Sequence, residues 1–162
     1  MPRSRKKTST EKEEDIQQKM VKKLSRKRLW FKERPKLHPP LRFGLIRKEY
    51  APDIVGINSE GKVFVIECKG GMINRPYTGL GKLLVYRRLI RNNFGLFRKQ
   101  LIKKLQELHK NQLEKLDNIA RRTTKDNVEY ILALDRGHDR SRREFIEKLA
   151  HIPDLKVKPI FV

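Results

Sequence analysis

Apolar residues recur along this chain in two rhythms, every third or fourth position and every second position, and the switches between them lay out the elements. Ile16, Met20 and Leu24 form the stripe of a basic amphipathic helix predicted from about 10 to 30. Pro35, Pro39 and Pro40 mark a loop, and a first strand is predicted from about 41 to 50. Residues 52 to 69 then hold two short apolar strands on either side of Ser59-Glu60-Gly61. Thr78 is the expected N-cap of a helix running to about 92, where Asn93-Phe94-Gly95 interrupts it. Leu101, Ile102, Leu105, Leu108, Leu113, Leu116 and Ile119 keep helical spacing, which predicts one long helix from about 96 to 122. A buried strand over 128–134, a helix over about 141–150 and an edge strand over 155–162, with Pro159 in it, complete the order. The reading is an α/β chain with a mixed β-sheet flanked by helices: a disordered basic tail over 1–9, then a single domain over 10–162.

The hairpin breaks its own apolar pattern with charge. A three-residue loop favours Gly last, in the left-handed conformation, so Gly61 pairs Asn58 with Lys62, Ile57 with Val63 and Val55 with Val65. The same register sets Asp53 against Glu67, with Cβ atoms about 5 Å apart, and period-two alternation puts Lys69 on that face. A two-residue loop would instead place Asp53 opposite Cys68 and turn it away from Glu67. Two carboxylates this close in a covered strand raise one another's proton affinity, so both stay ionised only beside a cation. A hard divalent metal that takes one or two carboxylates, Mg2+ above all, answers that need. The bland reading of Asp53, Glu67 and Lys69 is an ion-pair cluster at a sheet end.

Charge narrows the partner. Forty Lys and Arg against nineteen Asp and Glu leave a net charge of +21, which points to a polyanion, because a solvated ion-pair surface would balance its signs. DNA is the expected partner, and charge alone does not separate it from RNA. Arg87, Arg88, Arg91, Lys103, Lys104, Arg121, Arg122, Arg140, Arg142 and Arg143 are the expected phosphate contacts. The single cysteine, Cys68, rules out a disulfide framework and a cysteine zinc cluster, and His38, His109, His138 and His151 have no zinc spacing. No apolar run is long enough to cross a bilayer, so no membrane and a cytoplasmic setting are expected.

The Pro52-Asp53 and Glu67-Cys68-Lys69 elements resemble the PD-(D/E)xK nuclease superfamily. The likeness covers about 11 to 86, where the segments over 11–17 and 44–50 look most like archaeal NucS-type and Holliday junction resolvase-like endonuclease domains. The resemblance implies a restriction-endonuclease-like core and Mg2+, with Mn2+ as a substitute, held by Asp53, Glu67 and the backbone carbonyl of Cys68. It also implies a Glu from the first helix, for which Glu13 is the candidate. The competing reading of Glu13 is a helix cap, from the pattern Thr10-Glu11-Lys12-Glu13. Where many members carry Gln-x-x-x-Tyr, this chain has Lys82 and Tyr86, four apart on one helix face. Lys69 is implied to orient the attacking water, with a 5′-phosphate and a 3′-hydroxyl as products. The expected function is thus a metal-dependent DNA endonuclease specific for branched or single-stranded structure, working as a homodimer on symmetric junctions. Two alternatives stand beside it: an inactive nucleic-acid-binding module of the same fold, and a basic RNA-associated structural protein.

Overall fold

A computed structural model of the chain describes residues 7–27, 29–33, 51–70, 75–136 and 140–162. Around the loop at Ser59-Glu60-Gly61, strand β2 (Ile54–Ile57) pairs antiparallel with β3 (Val63–Lys69). The register is the expected one, Ile57 with Val63 and Val55 with Val65. Gly61 adopts φ +84°, and the Asn58 side chain accepts from the Glu60 and Lys62 backbone N–H groups, so the turn is locally determined. Strand β1 (Trp30–Glu33) pairs with β2 on its other side. Trp30 was expected to end the first helix. It starts this strand instead, and its indole N–H donates to Gln112 at 2.9 Å. The strand expected over 41–50 lies outside the described residues.

Helix α1 (Ser9–Arg26) begins inside the segment expected to be a disordered tail. Its capping box uses Thr8 and Glu11, not Thr10 and Glu13: the Thr8 hydroxyl accepts from Glu11 N–H and the Glu11 carboxylate accepts from Thr8 N–H. Helix α2 (Arg75–Asn92) starts three residues before Thr78, with Pro76 in its first turn, where a missing N–H costs nothing.

The single helix expected over 96–122 is two, α3 (Phe94–Leu108) and α4 (Leu113–Arg122), joined through a 3-10 turn over Lys110–Gln112. A straight helix of that length would run about 40 Å, twice the length of the sheet's strands, and its far half would find no apolar surface. Folding back lets Phe97, Leu101, Leu105, Leu116 and Ile119 all bury, while Leu108 and Leu113, at the bend, stay exposed.

Strand β4 (Val128–Leu134) lies parallel to β3, and β5 (Val157–Phe161) lies parallel to β4. Helix α5 (Arg140–Ala150) connects them. The described strands form one five-stranded mixed sheet in the order β1-β2-β3-β4-β5, with Pro159 in an edge strand where its missing donor is tolerated. The order advances in one direction, so two crossovers of the same hand put their helices on the same face. Leu83 and Tyr86 of α2, the α3–α4 pair and Ile146 of α5 cover Val55, Val63, Val65 and Leu132 there. On the other face Ile16, Met20 and Leu24 of α1 cover Ile54, Ile66, Cys68, Ile131 and Ala133. No described helix is long and apolar enough to cross a membrane.

Candidate active site

The two layers meet around the C-terminal end of β3, and the charged residues collect there. Extending the β2–β3 ladder by one step sets Asp53 opposite Glu67, and alternation puts Glu67 and Lys69 on the face that α2 covers. Glu67 is fully buried and Lys69 is 8% exposed. Asp53 Oδ2 accepts from Cys68 N–H at 2.7 Å, which ties the start of β2 to the end of β3 and fixes the carboxylate beside Glu67.

Glu67 Oε1 takes two ammonium groups, Lys82 Nζ at 2.9 Å and Lys69 Nζ at 3.2 Å. Its other oxygen, Oε2, is buried without a hydrogen-bond partner among the described residues. Burial, then the Asp53 charge, raise the proton affinity of Glu67, and the two lysines only partly offset them. Burial pulls the Lys82 ammonium down, but its bond to Glu67 and the charges of Glu67, Asp53 and Glu13 outweigh it, so its pKa is raised. Burial, with Asp53 and Glu67, also pushes the Cys68 thiol up, which keeps it protonated and inert.

Glu13 comes from the opposite layer. Its Oε2 lies 3.6 Å from Lys69 Nζ, reached around the strand end, because the helix is capped by Thr8 and Glu11 and Glu13 is not spent on that task. Helix α1 sits close at this point: a Cβ on Gly70 would stand 2.8 Å from Lys12 Cβ. Tyr86 packs its ring in the core, 2% exposed, and its hydroxyl donates to the Ala51 carbonyl at 3.3 Å, two residues before Asp53. Lys82 and Tyr86 thus share a helix face but hold different parts of the site, the one a carboxylate and the other the chain that carries Asp53.

One positioning residue escaped the sequence reading. A Cβ on Gly79 would fall 2.7 Å from both Lys69 Cγ and Leu132 Cδ1, so α2 lies directly on the lysine stem. The available signal was a glycine inside a helical pattern, which commonly marks close packing.

The expected phosphate contacts are scattered over α2, α3, α4 and α5. Arg140, Arg142 and Arg143 stand on α5, which starts beyond the C-terminal end of β4 and so on the site's side. There Arg140 pairs with Glu144 at 3.1 Å, and the Arg143 guanidinium lies 4.3 Å from the centre of the Phe161 ring. Arg87, Arg91 and Arg122 sit at the far end: Arg87 donates to the Asp154 carbonyl before β5, Arg91 pairs with Asp126 before β4, and the Arg122 backbone abuts Gly61 before β3. The length of β3, about 20 Å, separates them from Lys69. Arg88 is exposed on α2, Lys103 and Lys104 lie on α3, and Arg121 is exposed on α4.

Among the described residues no three His, Cys, Asp or Glu side chains form a ready-made metal cage. A hard divalent cation needs only one or two carboxylates, and the residues present fit one: the partnerless Glu67 Oε2 is buried, and Asp53 faces it across the ladder. No family model, curated protein or solved structure matches this chain.

Proposed function

We propose that this chain is a metal-dependent nuclease with a restriction-endonuclease-like core, of the PD-(D/E)xK kind, hydrolysing phosphodiester bonds in DNA. The observation that carries the reading is the fully buried Glu67, with one oxygen left without a partner, opposite Asp53 and within ion-pair distance of Lys69. A purely structural ion pair has no use for a second, half-buried carboxylate whose repulsion it must offset. The order of one helix, three antiparallel strands, helices and a parallel strand agrees with the resemblance carried by Pro52-Asp53 and Glu67-Cys68-Lys69.

Asp53 and Glu67, with the Cys68 carbonyl between Glu67 and Lys69 in sequence, are the groups that would hold Mg2+ or Mn2+. When bound, such an ion supplies positive charge for the phosphate and makes water a better nucleophile near neutral pH. Lys69 Nζ faces Glu67 and Glu13 and has a third N–H direction with which to orient a water. Its charge offsets the negative charge that grows at the phosphate in the transition state, which is usually the largest catalytic contribution. Glu13 holds Lys69 Nζ from the other layer, and Tyr86 steadies the strand start through Ala51.

A second reading is favoured by one contact. Lys82, where many superfamily members have Gln, puts an ammonium 2.9 Å from Glu67 Oε1, and that charge can stand in for a metal in a module that binds nucleic acid without cutting it. The deciding experiment incubates the protein with branched, single-stranded and duplex DNA and RNA, with Mg2+ and with EDTA, beside Lys69→Ala. Cutting that needs Mg2+ and Lys69 supports the nuclease. Binding without cutting on every substrate supports the module.

A further inference from the structure

A row of exposed cations lies away from the expected phosphate contacts, on α1. Its four carboxylates, Glu11, Glu13, Glu14 and Asp15, fall in its first half, and three are engaged: Glu11 caps the helix, Glu13 faces Lys69, and Asp15 is paired with Lys7. Beyond them Lys19, Lys22, Lys23 and Arg26 follow an i, i+3, i+4, i+7 pattern and share one face. Lys12 stands seven residues before Lys19 on that same face, next to Gly70 at the strand end.

Lys19, Lys22, Lys23 and Arg26 wall an open groove of ≈490 Å3 whose other side is Arg136, Phe161 and Val162. No Asp or Glu side chain lines it, and Lys19, Lys22, Lys23 and Arg26 make no ion pair among the described residues. By contrast, Lys62 and Lys158 meet Glu129. Five positive charges, Lys19, Lys22, Lys23, Arg26 and Arg136, with no Asp or Glu side chain among them are unfavourable for the isolated fold and favourable for a polyanion.

We infer that the groove between α1 and β5 is a track for the phosphodiester backbone of a nucleic acid, leading along α1 to the acids at the end of β3. From Lys12 to Arg26 the helix spans about 21 Å, enough for about six phosphates of one duplex strand at their axial spacing. The Phe161 ring has the Arg143 guanidinium 4.3 Å from its centre, so that face of the ring is not open to base stacking. A membrane surface fits less well, because the apolar stripe of α1, Ile16, Met20 and Leu24, is buried against the sheet and cannot insert into lipid. The inference names the substrate-binding surface of the proposed nuclease and rests on that reading for the link to cleavage.

The test uses the full chain in EDTA, so that binding is read without cutting. Fluorescence anisotropy with a short labelled DNA duplex, its single strand and the matching RNA is measured over a salt series for three proteins. These are the wild type, Lys19→Ala/Lys22→Ala/Arg26→Ala/Arg136→Ala, and a control, Lys99→Ala/Lys110→Ala/Lys125→Ala, whose lysines are equally exposed but lie outside the groove. Circular dichroism and Tm confirm that all three fold. The groove protein should bind at least about tenfold more weakly at moderate salt, and its salt slope should fall by about three, while the control stays close to wild type. Groove-variant affinity within twofold of wild type, an equal loss in the control, or wild-type binding to phosphatidylserine vesicles but to no nucleic acid would each overturn the track. A wild type that binds through the groove yet never cuts with Mg2+ or Mn2+ removes the nuclease and leaves the track. One that cuts while its groove variant binds normally does the reverse.

Discussion

Asp53→Asn separates a catalytic pair of acids from an ion-pair cluster, because the substitution removes a charge while keeping the oxygen that ties β2 to β3. An amide oxygen can accept from Cys68 N–H as Asp53 Oδ2 does at 2.7 Å, at a loss of about 1 kcal/mol for exchanging a charge-assisted bond for a neutral one. Against this stands relief of repulsion with Glu67: two charges about 5 Å apart interact by about 3 kcal/mol at an effective dielectric of 20, and more weakly at a partly exposed acid flanked by Lys69 and Lys82. The metal-free variant should therefore match or slightly exceed the wild type in stability, by on the order of 1 kcal/mol, or about 3 °C in Tm for a chain of this size. The wild type, in Mg2+ at ten times its Kd, should gain about 1.4 kcal/mol, or about 3–6 °C, and the variant nothing. Thermal unfolding of both proteins in EDTA and across a Mg2+ series reads all four values, and a nicking assay should show cleavage lost by about a hundredfold or more. Two results refute the reasoning: a metal-free Tm lower by more than about 6 °C, which makes Asp53 a structural ion-pair partner, or a Mg2+ shift that survives the substitution.

Three further outcomes are expected. Lys82→Gln withdraws the competing ammonium from Glu67 Oε1, so a Mg2+ titration followed by Tm or cleavage should show tighter metal binding, by several-fold. Gly79→Ala drives a methyl into Lys69 Cγ and Leu132 Cδ1, and should cost about 1–3 kcal/mol in denaturant unfolding while lowering kcat more than it changes nucleic-acid affinity. Because Glu67 holds its proton more tightly folded than unfolded, its contribution to metal-free stability is complete below the ordinary value of 4.5 and is lost as pH rises through its raised folded pKa. Metal-free Tm should thus decline above that range, Mg2+ should restore it, and Mg2+ binding measured calorimetrically in two buffers should release protons; no buffer dependence at mildly acidic pH would contradict this.

How much was legible follows from how local each determinant is. The hairpin is fixed by Asn58, Gly61 and strict alternation, all within twenty residues, so its register and the shared face of Asp53, Glu67 and Lys69 could be read before any coordinates. Strand β4 and helix α5 were likewise bounded by their own composition, to within a residue. The choice of cap was not legible, because Thr8, Ser9 and Thr10 are all good N-caps, and only the observed start at Thr8 releases Glu13 to face Lys69. The break between α3 and α4 carries no glycine or proline at Leu108–Leu113, so periodicity ran straight through it.

Sequence alone determined which acids oppose each other across a short turn, and an excess of positive charge. Those are properties of neighbours along the chain and of totals. The tertiary structure decided how separate segments meet, since Lys82 on Glu67, Gly79 on the Lys69 stem, Tyr86 on Ala51 and the α1 cations beside Arg136 all join residues ten or more positions apart. Such meetings are set by the burial of α1 on one face of the sheet and of α2 to α5 on the other, and no local pattern encodes that packing.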